Sequence, residues 1–135
     1  MTEPSLALQT LVRARLIASP DLVALVPADH VLDKNDRPEV FPCILIGEGQ
    51  TLPDEGLARD RFAVTLDVHV WAEEPGLATV KTIAHAVRQA LVLPFVILRF
   101  HVVDLRIAST RFMRDPAGYG HAVVTVEAPM KEIVP

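Results

Sequence analysis

Asp67 and His69 are the side chains in this 135-residue sequence best spaced to do chemistry. They stand two apart in an alternating segment, so both project from one side of an extended strand. A carboxylate and an imidazole on one face suit a divalent metal, provided that a further ligand converges on them and outer partners orient the rings. His121 and Asp104, on neighbouring segments, are the residues that favourable strand pairing would bring alongside. Without that pairing the set is an ordinary polar outer face, and on balance the sequence is read as having no metal site. Arg114 and Asp115 resemble an electrophile and an acid, yet adjacent strand residues point to opposite faces and make no natural catalytic pair. His85, with Lys81 and Arg88, reads as a solvated helix face.

Cys43 is the single cysteine, so no intrachain disulfide can form. It lies inside Phe41-Pro42-Cys43-Ile44-Leu45-Ile46, where a thiol behaves as a small buried hydrophobe rather than a nucleophile. A nucleophile elbow, a phosphate loop, a dinucleotide fingerprint and paired cysteines at zinc spacing are all missing from the sequence. Gly118-Tyr119-Gly120 is too short to cradle a phosphate. No catalytic residue and no cofactor are therefore expected. What remains is contact chemistry: Trp71, Phe112 and Tyr119 read as exposed-face aromatics, of the types enriched at interface hot spots.

The elements that position these residues follow from periodicity. Ser5 to Ala18 reads as an amphipathic helix with Leu8, Leu11, Val12 and Leu16 at helical spacing. Ser19-Pro20-Asp21 reads as cap, first position and acidic second position of a short helix that Pro27 stops. Ala28 to Val40 is charged and broken, with an exposed loop at Asp33 to Pro38. Phe41 to Gly47 is a nearly continuous apolar strand, and Glu48 to Ala58 reads as a polar loop. Arg59 to Trp71 is a strand with Phe62, Val64, Leu66, Val68 and Val70 on one face and Ala63, Thr65, Asp67, His69 and Trp71 on the other. A helix from Leu77 to Leu91 places Val80, Ile83, Ala84 and Val87 on one stripe before Pro94 ends the region.

His101 to Ala128 completes the sequence as a hairpin. Val103, Leu105 and Ile107 share a face of its first strand, and Val124, Val126 and Ala128 share a face of the second. In the turn, Asp115 can accept bonds from local backbone donors, Pro116 presets φ and Gly118 suits the fourth position. Helices set apart from strand pairs predict one α+β domain over 1–135: a mainly antiparallel sheet with two helices packed on one face.

The net charge is −4, and Lys and Arg are scattered rather than gathered into a stripe. Sequence-independent nucleic-acid binding, which needs several phosphate-neutralising cations, is thereby disfavoured. Half the residues are hydrophobic but only 5% aromatic, an aliphatic surplus that suits either a core or an interface between subunits. No stretch reaches the roughly 20 apolar residues that span a bilayer, and Met1 to Ser5 lacks the basic opening of a signal peptide. A soluble, intracellular chain is expected.

Four ordered features resemble the small tail terminator, or tail-completion, proteins of phages. These are the first helix ending in Ser19-Pro20-Asp21-Leu22-Val23-Ala24-Leu25-Val26, the Phe41-to-Gly47 strand, Val64 to Trp71 leading into a helix, and Phe112-Met113-Arg114-Asp115-Pro116. The versions in alphaproteobacterial prophages and gene transfer agents are the most similar. The resemblance implies a non-enzymatic head–tail joining protein of the virion, assembled in the bacterial cytoplasm. It further implies a ring, usually hexameric, that caps the tail tube, stops its growth and meets a head-side stopper or connector while DNA passes through its channel. On that reading Trp71, Phe112, Arg114, Asp115 and Tyr119 contact the tube, the stopper or a neighbouring subunit, and Glu48, Asp54 and Glu55 belong to a lumen or docking loop. A small-molecule-binding α+β module and a small metal-dependent hydrolase are the alternative readings.

Overall fold

The computed structural model describes residues 3–33, 38–54, 56, 59–74, 76–92 and 99–133. Helix α1 (Pro4–Ile17) starts where Glu3 accepts the Leu6 N–H at 2.9 Å. Ser19 caps α2 (Pro20–Leu25) in the same way, and Pro20 occupies the first position, where its missing N–H costs nothing. A 3-10 turn at Ala28–His30 leads into β1 (Val31–Asp33). Then follow β2 (Cys43–Pro53), β3 (Arg61–Ala72), α3 (Ala78–Ala90), β4 (Phe100–Val102), β5 (Arg106–Arg114) and β6 (Gly120–Glu132). No described helix is long and apolar enough to cross a membrane.

The strands form one sheet in the order β1-β2-β3-β6-β4, with β5 also paired to β6. All pairings are antiparallel except β1 with β2. Alternation on β3 and β6 sends Val64, Leu66, Val68, Val70, Val124, Val126 and Ala128 into one core with Leu8, Val12 and Leu16 of α1 and Val80, Ile83 and Val87 of α3. These side chains are almost wholly buried. The described helices thus cover one face and leave the other open, the α+β architecture that the order of elements predicts.

Three expectations change. Glu48 to Ala58 is not a single loop, because β2 continues to Pro53 and pairs Gly49 to Pro53 with Leu66 to Phe62. A register shift between Ile46 and Gly49 absorbs the break in pattern that looks like loop sequence. Val31–Asp33 is a short parallel strand, not part of a broken segment, because it completes its hydrogen bonds against Ile44 to Ile46. The first hairpin strand is divided, and Val103 is 56% exposed instead of sharing the buried face of Leu105. Pro129 explains the division. Its carbonyl accepts the Val103 N–H at 2.9 Å, but it has no N–H to return, so the ladder stops between β4 and β5. Pro94, Glu55 and the middle of the Asp33-to-Pro38 loop lie outside the described residues.

Candidate functional site: the open sheet face

Across the open face, β2, β3 and β6 set Glu48, His69 and His121 in a row. His69 Nδ1 lies 2.9 Å from His121 Nε2, and His69 Nε2 lies 3.2 Å from Glu48 Oε2. With neutral rings, His69 donates its Nε2–H to the carboxylate and accepts the His121 Nε2–H at Nδ1. The pairing register makes this possible: His121 sits directly opposite Trp71 and therefore diagonal to His69. The Trp71 indole stacks on His121 with ring centroids 3.8 Å apart and planes within 8°.

The row depends on Gly47. A Cβ there would come within 2.5 Å of the His69 ring, so the imidazole can lie over the backbone only because no side chain is present. Glu48, in the bulge, is the partner that the sequence reading did not connect to His69; Gly47-Glu48-Gly49 inside an apolar run was the available signal of a bulge.

Burial and the hydrogen bonds of the row set its charge. Burial pushes His121 down to about 4, with the adjacent His69 adding to the effect. Its ring is therefore neutral near pH 7 and presents, with Trp71, a flat aromatic plate. The hydrogen bond from His69 holds Glu48 below the usual carboxylate range. Burial raises the Cys43 thiol to about 11, as befits an unreactive cysteine.

The ligand set raised by the sequence is only partly assembled. His69 and His121 meet, but Asp67 accepts the Thr125 hydroxyl at 2.7 Å, and Asp104 accepts the backbone N–H of Leu105. Among the described residues no three His, Cys, Asp or Glu side chains converge suitably for a metal.

Of the contact residues, Trp71 and Tyr119 lie toward one end of the sheet, where Tyr119 packs on Phe41 with centroids 4.6 Å apart. Phe112 lies on the opposite face, opposite Ala122, with the Lys81 ammonium 5.3 Å from its ring centroid. Arg114 is exposed at the end of β5, and Asp115 builds the turn by accepting the Ala117 N–H at 2.8 Å. Asp54 follows β2 and bonds back to Arg61, so the strand separates it from Glu48. At that far end Leu52, Phe62, Ala63, Val103, Pro129 and Met130 line an open groove of about 530 Å³.

Residues 10–131 match the family described as tail completion protein gp17. The chain belongs to that family.

Comparison with solved structures agrees. A chain in the virion of a native gene transfer agent particle superposes with a TM-score of 0.84 at 24% identity, covering 96% of this chain and 99% of that one. The bacteriophage SPP1 gp17 protein superposes with a TM-score of 0.58 at 23% identity, covering 96% and 91%. At these identities the likeness is one of fold. Comparison with curated proteins finds no match. As a tail completion protein, the chain is a phage tail structural protein and part of the virion. Trp71 and His121 form an aromatic plate at one end of the open face, and the groove lies at the far end of the sheet.

Proposed function

We propose that this protein is the terminator of a phage-like tail. Several copies, six on the family resemblance, close a ring on the last ring of the tail tube, stop its polymerisation and join it to the head-side connector. It acts by binding alone, without catalysis or a cofactor. The observation that carries the reading is the family match over residues 10–131, supported by a fold shared across nearly the whole of a chain from a gene transfer agent virion. A gene transfer agent particle and a prophage tail are both compatible settings.

The open face, the loops beside it and the exposed β5 edge supply the contacts. Trp71, Tyr119, Arg114, Asp115 and Phe112 are assigned to the tube, the connector or a neighbouring copy. Glu48 and Asp54, with Glu55, are assigned to the channel or the docking loop, where carboxylates repel phosphate and let DNA pass without adhering.

Tube length tests the reading. Tail-tube protein polymerised with this chain should give short tubes capped at one end, seen by negative-stain microscopy, and native mass spectrometry should show a closed ring. Tubes of unchanged length with no cap, and no oligomer of this chain, would sink it. Replacing Asp54 and Glu55 with lysine should slow DNA delivery and leave the ring intact; unchanged delivery would remove the channel assignment.

A further inference from the structure

We infer that copies of this chain join head to tail through opposite edges of their sheets, with β5 of one copy set against the β1–β2 edge of the next. The inference rests on the ring reading above and names the surfaces that would build it. Both edges have backbone to offer. Among the described residues β5 pairs only with β6, and β1 covers β2 only from Ile44 to Ile46, leaving Gly47 to Pro53 with no strand outside it.

The two edges carry opposite charge. β5 holds Arg106, Arg111 and Arg114 and no carboxylate. Asp104 and Asp115 flank it, each carboxylate bonded to a backbone N–H, of Leu105 and Ala117. Packed beside β5, α3 adds Lys81 and Arg88 and again no carboxylate. Arg106 is engaged with Glu127 at 2.5 Å, which leaves Arg111 and Arg114, both exposed, as the cations offered outward. On the other edge, β1 and β2 contain Asp33 and Glu48 and no cation. Glu3 reaches the same edge through a 2.6 Å bond from Thr51. Arg13, among the described residues, lies nearby, and its Nε–H is donated to the Val31 carbonyl. Each edge also shows one large exposed apolar side chain, Phe112 on β5 and Leu52 on β2.

This asymmetry decides the kind of assembly. Two β5 edges brought together would set arginine against arginine, the device by which edge strands avoid self-pairing. An arginine edge against a carboxylate edge is favourable, and a contact between unlike patches propagates in one direction until rotation closes it into a ring.

Charge reversal tests the assignment. One variant carries Arg111→Glu and Arg114→Glu, the other Asp33→Lys and Glu48→Lys, and thermal melting confirms that each is folded. All are assayed by native mass spectrometry, alone and with assembled tail tubes. Wild type should form rings, and either variant alone should remain monomeric at concentrations at least about tenfold above those that assemble wild type. An equimolar mixture should form rings again, with the two variants alternating, because each then meets an edge of opposite charge. Rings from either variant alone, or a mixture that stays monomeric, would overturn the edge assignment and leave the ring reading standing. Absence of wild-type rings, both alone and on tubes, would instead overturn the ring reading and this inference with it.

Discussion

The two faces of the sheet are built from alternate residues of the same strands, yet they are held by different physics. On the helix side, Val64, Leu66, Val68 and Val70 are buried against α1 and α3, and stability comes from removing aliphatic surface from water. On the open side Asp67, His69 and Trp71 meet Thr125, His121 and Glu48 through hydrogen bonds and ring stacking. Beneath the helices the first face is already filled. The second is pre-arranged but incompletely buried, so a docking protein could cover it without rearranging the core.

The largest effect should come from the covered face. Leu66→Ala should lower unfolding free energy by about 3 kcal/mol in urea titration, since it removes buried volume that α1 and α3 cannot refill. A loss no greater than that of an open-face substitution would break the comparison.

Acid should single out the open face next. The folded value of His121, about 4, lies below its ordinary 6.5, so between those pH values the unfolded chain binds a proton that the folded chain does not. The stabilising contribution is complete above 6.5 and is lost as the pH falls toward 4. Discounted for solvent screening, the loss should be roughly 2 kcal/mol, and His121→Phe, which keeps a ring on Trp71, should flatten that part of the pH–stability curve. Glu48, whose value is also depressed, adds stability that disappears at lower pH still.

Gly47→Ala should cost on the order of 1–2 kcal/mol, because the new methyl displaces the His69 ring and breaks its bond to Glu48. Imidazole NMR shifts of both histidines should move together. Thr125→Val, which strips Asp67 of its hydroxyl donor, should cost about 1 kcal/mol by thermal melting. Glu127→Gln should change stability by no more than about 0.5 kcal/mol, since Arg106 is largely exposed and its ion pair is screened.

Much of the fold was legible because it repeats locally. The stripes on α1 and α3, the alternation on β3 and β6, and the Asp115-to-Gly118 turn all follow from helix, strand and turn geometry acting over a few residues. The candidate site was less legible. Asp67, His69 and His121 were recognised as neighbours in character, but their partners were not: Asp67 belongs to Thr125, and His69 to Glu48 across a bulge. Phe112 and Trp71, grouped by exposure, stand on opposite faces because β5 joins β6 with its own register shift between Ile107 and Ser109.

The sequence by itself determined the long helices, the cores of the long strands and which side of each long strand is apolar, because backbone periods of 3.6 and 2 turn residue order directly into a face. Only the tertiary structure decided the parallel pairing of β1, the extension of β2 to Pro53, the break at Val103 and the meeting of His69, His121 and Glu48. Each of these depends on register between strands distant in the chain. A single bulge or one missing proline N–H resets that register, and no local pattern encodes the outcome.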